Sequence, residues 1–320
     1  MARFLLVRFG HALVTLVLAL VVIFAGVRLL PGDAAAVLAS QDTSGRTDPE
    51  EIRRALGLDQ PLIVQFGRYV AGVFRGDWGT STTTGQPVTV TIGQALPVTL
   101  ELAILSLAFA TIAGVLFGIV AAIRKGRLSE WLANGFALFF MSVPHFWLGM
   151  LLILVFAVTL QWLPASGFTP FAADPFGNLA GMIMPVFVLG TGLAAVTMRQ
   201  MRAGMLETMS ADFIRSARAH GITPTRVVWG HAVRNSIITV ITIINLQLGV
   251  LLSGAVVTEQ VFVLPGFGKL MLGAVTGRDY AVIQGVVLVI AFIYVAANLA
   301  TDVVYTLVDP RVRIRTRSVR

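Results

Sequence analysis

Six apolar stretches leave this chain little choice but a membrane. They run from about Phe9 to Leu30, Pro97 to Ile123, about Leu132 to Leu160, about Leu179 to Met198, Ile237 to Val257 and about Ile283 to Leu307. Each approaches or exceeds the roughly 20 residues that a helix needs to cross a ~30 Å hydrocarbon core. The expected fold class is therefore an all-α membrane protein with six transmembrane helices. Composition agrees: 56% of residues are hydrophobic and only 12% charged, where a soluble domain carries roughly 25% charged residues. The mean hydropathy is +0.84. The first stretch is too long for the apolar region of a cleavable signal, and "RLLPGD" follows it in place of a small-residue cleavage site. It reads as a retained helix.

A net charge of +8 raises the possibility of nucleic acid, but the distribution of charge argues against such a partner. Arg3 and Arg8 precede the first span, "RKGR" at 124–127 follows the second, and the tail "RVRIRTRSVR" has five arginines. Six more, Arg199, Arg202, Arg215, Arg218, Arg226 and Arg234, lie around the segment between the fourth and fifth spans. The connection "QWLPASGFTPFAADPFGN" between the third and fourth has no Lys or Arg. Positive charge collects on the cytoplasmic side of membrane proteins, so both termini are expected there. No cysteine is present, which excludes disulfides and Cys-based metal sites.

The first connection, about 31–96, then lies outside. "DPEEIRRALGL" has acidic residues at its start, Pro49 near its first turn and Gly57 after its last, the marks of a short helix. "PLIVQFGRYVAGVF" places Ile63, Phe66, Val70 and Phe74 at helical spacing and predicts an amphipathic helix. "RGDWGTSTTTGQPVTV" is expected to turn and end in a short extended stretch. This segment is either a folded cap on the outer face or a docking or gating surface for something presented from outside.

Catalytic chemistry is sparse. There is no G-x-x-x-x-G-K-[ST] phosphate cradle and no H-E-x-x-H. The four histidines, His11, His145, His220 and His231, are scattered, with neither metal-ligand spacing nor a nucleophile–base pair among them. "GVLFG", from Gly114 to Gly118, fits small-xxx-small helix packing. Polar residues within spans need partners, because a charge near the bilayer centre costs about 2.5–3.5 kcal/mol on insertion scales. Glu101 and Asp302 lie near span ends and reach interfacial water or local partners. Ser142 and His145 flank Val143 and Pro144, Asn245 and Gln247 lie nearer mid-membrane, and Ser253 follows in the same span. Two readings stay open for these five: interhelical hydrogen bonding, or a polar strip along a translocation path.

Between the fourth and fifth spans, "ADFIRSARAHGITPTRVVWGHAVRN" reads as a stiff helical hairpin. Met209, Phe213 and Ala217 repeat every four residues, with Arg215 and Arg218 on another face, predicting a helix from about Leu206 to His220. Gly221 can take the left-handed conformation that ends it. Thr223 is placed as N-cap and Pro224 as first residue of the next helix. A flexible tether would be Gly/Ser-rich and uncapped. This one suits a lever.

Here the chain resembles the permeases of ATP-binding-cassette importers, in the dipeptide/oligopeptide/nickel group. "DFIRSARAHGITPTRVVWGHAVRNSI" is similar to that group's coupling loop, known as the EAA loop. "LLPGDAAAVL", "LGLDQPLIVQFGRYV", "RGDWGTS", "LPVTLELA", "SVPHFWLGMLLILVF", "LPASG", "VVTEQVFVLPGFGKLM", "RDYAVIQGVVL" and "DVVYTLVDPRVR" also resemble its segments, so the likeness covers nearly the whole chain. By motif position Arg215, Ser216 and Ala217 stand where the broader pattern has Glu-Ala-Ala, and Gly221 matches its glycine. Arg215 departs from the glutamate. The closing I-x-L-P is also missing, with His231, Val233 and Arg234 in its place.

The resemblance implies a type I importer permease fold: an N-terminal transmembrane helix (1–30), an extracytoplasmic loop (31–96), a five-helix core (97–307) and a basic tail (308–320). It implies a coupling loop at about 199–236, with Asp212, Arg215, Ser216, Ala217, Arg218, Ala219, His220 and Gly221 seated in a groove of an ATPase subunit. Implied partners are a second homologous permease, two ATPases that bind the ATP and Mg, an extracytoplasmic substrate-binding protein and the lipid bilayer of a bacterial inner membrane. The chain itself would be non-catalytic, with no cofactor or metal of its own. Peptides are the expected cargo, with nickel chelates, haem, glutathione and other small solutes as alternatives. Two rivals come from other classes: a stand-alone secondary transporter, which would show inverted repeats and intramembrane charges, and an integral membrane enzyme, which would show a catalytic constellation.

Overall fold

Apolar periodicity becomes helix almost throughout the computed structural model, which describes residues 2–29, 48–55, 57 and 59–308. The helices are α1 (Ala2–Leu29), α2 (Pro49–Ala55), α3 (Leu62–Arg75), α4 (Val88–Ile123), α5 (Leu128–Ser142), α6 (His145–Leu152), α7 (Pro175–Ser210), α8 (Asp212–Ala219), α9 (Pro224–Arg226), α10 (Arg234–Val261), α11 (Phe267–Thr276) and α12 (Tyr280–Val308). Two π-helical stretches, Ile153–Thr159 and Val227–Val233, extend α6 and join α9 to α10. Among the described residues there is no strand, only one isolated antiparallel bridge between Thr80 and Pro87. "LLPGDAAAVL" after its first residue, and the arginine-rich tail, lie outside the described residues.

Among the described residues five helices are long and apolar enough to cross a membrane, and six if one bent pair is a single span. That pair is the expected span from about Leu132 to Leu160, and it is bent. α5 ends at Ser142, and α6 leaves at 103° to it. Pro144 is the cause. Its ring pushes the preceding residue out of the helical region, and Val143 sits extended at φ −80°, ψ 125°. A second difference concerns "PVTV", expected to be extended because Val and Thr favour strands. Only Pro87 is extended, bridged to Thr80, and Val88–Val90 open α4 instead, since burial outweighs propensity: Val88 is fully buried and Ile92 nearly so. The earlier start puts Glu101 well inside the helix, half-buried, and no longer one turn from its end. A third difference is α11, ten residues between the fifth and sixth apolar stretches for which the sequence predicts no element.

The chain forms two compact units: Met1–Val98 with Pro265–Leu299, and Thr99–Leu264 with Ala300–Arg320. In the first, Val88, Ile92 and Ala95 of α4 pack on Phe267 and Ala274 of α11 and on Val282, Ile283 and Val286 of α12. A Cβ at Gly285 would lie 2.7 Å from Val88 Cγ1, so only glycine allows this approach. Asp279, 1% exposed, fastens the 81–84 turn to the start of α12. It accepts from Ser81 Oγ at 2.6 Å, Thr83 N at 3.3 Å and Val282 N at 3.2 Å. In the second unit α4 lies against α7. Gly114 and Gly118 make the contact, where a Cβ would come within 2.6 Å of Thr197 Cβ and 2.7 Å of Met201 Cβ respectively. The small-xxx-small motif is thus a packing device. Ile119, Ala122, Met201, Met205, Val228, Ala232 and Val240 form the core beside it.

Candidate functional site

The hairpin of arginines is built from the end of α7 outward. The expected single helix from Leu206 to His220 is two. Ala211 adopts φ −69°, ψ 151°, which stops α7 at Ser210 and starts α8 one residue later. Ser210 turns its hydroxyl back onto Glu207 O at 2.7 Å, satisfying a carbonyl of the last turn. The reason for the break lies in Ile214, which is fully buried, while α8 rests on the end of α7 and on the π-helical turn that carries buried Val227 and Val228. A continuous helix would have left Ile214 without that cover. Phe213, placed by spacing on the apolar face, is 47% exposed instead, and Trp229 nearby is 55% exposed.

The end of α8 is a double-bonded left-handed cap. Gly221 N donates to Arg218 O at 3.0 Å and Ile222 N to Ala217 O at 3.2 Å, the pair that defines a Schellman motif. Gly221 itself is at φ +78°. His220 adds a bond between Nδ1 and Ser216 O at 2.8 Å. Pro224 takes the first helical position of α9 as expected. Thr223 precedes it in extended geometry, but its side chain caps nothing. Of the eight residues singled out here, Asp212, Arg215, Ser216, Arg218, Ala219, His220 and Gly221 are exposed and only Ala217 is half-buried. Arg215 pairs with Asp212 one turn back, both largely in solvent, so the pair adds little stability. The result is a short rigid knob, anchored by Ile214 and presenting cationic, polar and aromatic groups.

The other arginines of this region divide. Arg202 forms an ion pair with Glu130 of α5, through Nε at 3.0 Å and through the second nitrogen more closely. Glu130 also accepts from Gly126 N at 2.5 Å, which closes the "RKGR" turn. Sequence spacing offered no signal for this pair, since its members are 72 residues apart. Beside it an open cleft of about 530 Å³ is lined by Asn134, Met141, Val196, Arg199, Gln200, Arg202 and Ala203.

The five polar residues of the spans differ in burial and in partners. Gln247 is buried and donates from Nε2 to Leu193 O at 3.0 Å and Thr197 Oγ1 at 3.2 Å, tying α10 to α7. Asn245 accepts from Thr301 Oγ1 at 3.2 Å. Both make the interhelical hydrogen bonds weighed above. Ser142 and Ser253 are exposed, each bonded back to its own helix, at Leu138 O (2.8 Å) and Gly249 O (3.1 Å). His145 is half-buried between two glycines: a Cβ on Gly192 would meet Nε2 at 3.2 Å, and one on Gly254 would meet Nδ1 at 3.7 Å. Glu259, fully buried, accepts from Thr99 Oγ1 at 2.7 Å, a pairing that its place at the end of an apolar run does not signal. Among the described residues no three His, Asp or Glu side chains gather as metal ligands.

Comparison with known proteins follows the same lines. Residues 114–314 match the family described as "Binding-protein-dependent transport system inner membrane component", and residues 1–103 match its N-terminal companion. A putative peptide transport system permease protein of Brucella abortus (strain 2308) is 39% identical over 313 residues, covering 98% of this chain and 99% of that one. A glutathione transport system permease of Salmonella paratyphi A is 39% identical over 315 residues, covering 98% and 100%. The di/tripeptide transport system permease DppB of Pseudomonas aeruginosa is 38% identical, covering 91% and 92%. Among solved structures, the inward-facing MetNI methionine ABC transporter superposes with a TM-score of 0.55 at 17% identity, covering 69% of this chain and 97% of that one, which shows a shared fold. With its apolar helices, its hairpin and these matches over nearly its full length, the chain belongs to the binding-protein-dependent transport system inner membrane components, as a multi-pass protein of that membrane.

Proposed function

We propose that this chain is the non-catalytic permease subunit of an ATP-driven importer of di- and oligopeptides, and that α8 with the Gly221 turn is where the ATPase engages it. The carrying observation is the knob itself: a seven-residue exposed surface held by one buried isoleucine and a two-bond cap. Such a piece transmits displacement to α7 and α10 because it cannot bend independently of them. A second homologous permease completes the pathway, two ATPases bind ATP and Mg, and a substrate-binding protein delivers cargo from outside. Both termini face the cytoplasm, so that the arginine-rich loops share the ATPase side.

Peptide cargo is supported by relatives whose names specify peptides, di/tripeptides or glutathione, itself a peptide with free amine and carboxylate ends. Ser142, His145 and Ser253 remain the path candidates, with Asn245 and Gln247 behind them as helix ties. The experiment is cross-linking: single cysteines at Ala219 or His220 form a disulfide or short-linker product with the ATPase subunit in membranes of the assembled transporter. Absence of product from both positions in a complex that still hydrolyses ATP would overturn the coupling assignment. Cargo is read separately, by calorimetric titration of the partner binding protein with di- and tripeptides and glutathione.

A further inference from the structure

α3 has two apolar faces and only one of them is covered by protein. One face packs on the last turns of α1. The Phe66 and Tyr69 rings meet the ring of Phe24 at 5.2 and 6.0 Å, and Tyr69 and Val73 close over Leu20 and Ile23. Arg28 lies 3.4 Å over the Phe24 ring centroid and donates to Gln65 Oε1 at 2.7 and 3.1 Å. The second face is Ile63, Gly67, Val70 and Phe74, spaced i, i+4, i+7 and i+11, which keeps them in one line along a helix. Ile63 and Phe74, at the two ends of that line, are each 80% exposed. One residue further round, about 100° away, Arg68 and Arg75 form a parallel basic row. Both are exposed, and neither pairs with a carboxylate among the described residues.

Depth is fixed by α1. Its apolar window runs from Val7 to Gly26, and Phe24 and Arg28, the residues that α3 grips, straddle the end of that window. The helix therefore sits where hydrocarbon gives way to headgroups. An apolar stripe beside a row of unpaired arginines at that level matches a helix lying in the interface plane, with side chains in the acyl boundary and guanidinium groups at lipid phosphates. We infer that α3 is a membrane-surface helix whose Ile63–Phe74 stripe is buried in phospholipid and whose Arg68 and Arg75 bind lipid phosphate, anchoring the connection between the first two spans to the bilayer. Neither the transport reading nor the identity of the cargo is needed for this.

The natural absence of cysteine makes the test clean. Single cysteines Ile63→Cys, Phe74→Cys and Arg75→Cys are labelled with an environment-sensitive fluorophore, and the full chain is reconstituted in phosphatidylethanolamine–phosphatidylglycerol vesicles. All three sites are exposed, so the labels displace no packing. Labels at Ile63 and Phe74 should show blue-shifted emission, strong quenching by lipids with a shallow nitroxide and weak quenching by aqueous iodide. The Arg75 label should show the reverse. Iodide quenching at Ile63 and Phe74 as strong as at Arg75 would place the helix in water and overturn the inference. Shielding of both from either quencher would also overturn it, because protein would then cover the stripe.

Discussion

At Gly221 the chain asks for something only glycine gives freely. The left-handed conformation costs an L-residue about 1–2 kcal/mol, and a β-branched side chain is worse. Nothing lies within 4 Å of where a Cβ would go, so the cost of substitution is backbone strain alone. Gly221→Ala should therefore keep most uptake, whereas Gly221→Val should insert normally but separate ATP hydrolysis from uptake or release the ATPase. Parallel vesicle uptake and ATPase assays check this, and normal uptake by the valine variant would remove the turn from the mechanism. Gln247 makes a different demand. Its amide ties Leu193 O and Thr197 to α10, and leucine there removes both ties while Leu193 O keeps the Thr197 hydroxyl at 2.9 Å. Such interhelical bonds are worth roughly 0.6 kcal/mol on average in membranes, up to about 1.7. Gln247→Leu should lower the melting temperature of the purified complex by a few degrees while uptake per assembled complex stays near wild type. A large loss of uptake with unchanged melting would return Gln247 to the translocation path.

Elements were legible where one signal dominated. Long apolar runs mark α1, α7, α10 and α12, the helical spacing of apolar residues marks α3, and turn chemistry marks α2 and the Gly221 cap. The failures share a cause: tertiary contact deciding between local options of nearly equal cost. "PVTV" winds into α4 because Val88 and Ile92 find cover, and α7 breaks at Ala211 because Ile214 does. No spacing rule could tell Ile214 from Phe213, neighbours of similar hydrophobicity, without the surface that one of them meets. The site residues of the knob could be named from their motif, but the Glu130–Arg202 pair and Glu259 could not, since each partner is distant in sequence. The α4–α7 contact is the exception, written locally as glycines four apart. A Cβ at Gly118 would also sit 2.8 Å from Met198 O, a backbone atom that cannot rotate away. Gly118→Leu should push the two helices apart and cut the yield of folded protein in detergent severalfold, measured by size-exclusion recovery. Ile214→Ala should leave that yield nearly intact yet weaken ATPase retention, because it loosens α8 alone.

For the molecule as a whole, the 103° bend between α5 and α6 decides topology. If the bent pair crosses the bilayer, the chain has six crossings and both ends share a side. If it dips and returns, there are five, and everything after Thr159 changes sides relative to the first helices. Charge distinguishes the two. With six crossings, "RKGR", the α8 hairpin and the terminal arginines all face one way, and the 161–178 connection, which has no Lys or Arg, faces the other. With five, the hairpin and the tail would share the face opposite to Arg3, Arg8 and "RKGR". The positive-inside rule, applied to short loops, strongly disfavours such a split. Ala173, exposed in that connection without Lys or Arg, reports the choice directly. In the cysteine-free chain, Ala173→Cys should react with an impermeant maleimide on intact cells. Ser318→Cys should react only after lysis, as should His220→Cys. Silence of Ala173→Cys before lysis, with labelling of Ser318→Cys on intact cells, would show the bent pair to be re-entrant and move the hairpin to the face where no ATPase could reach it.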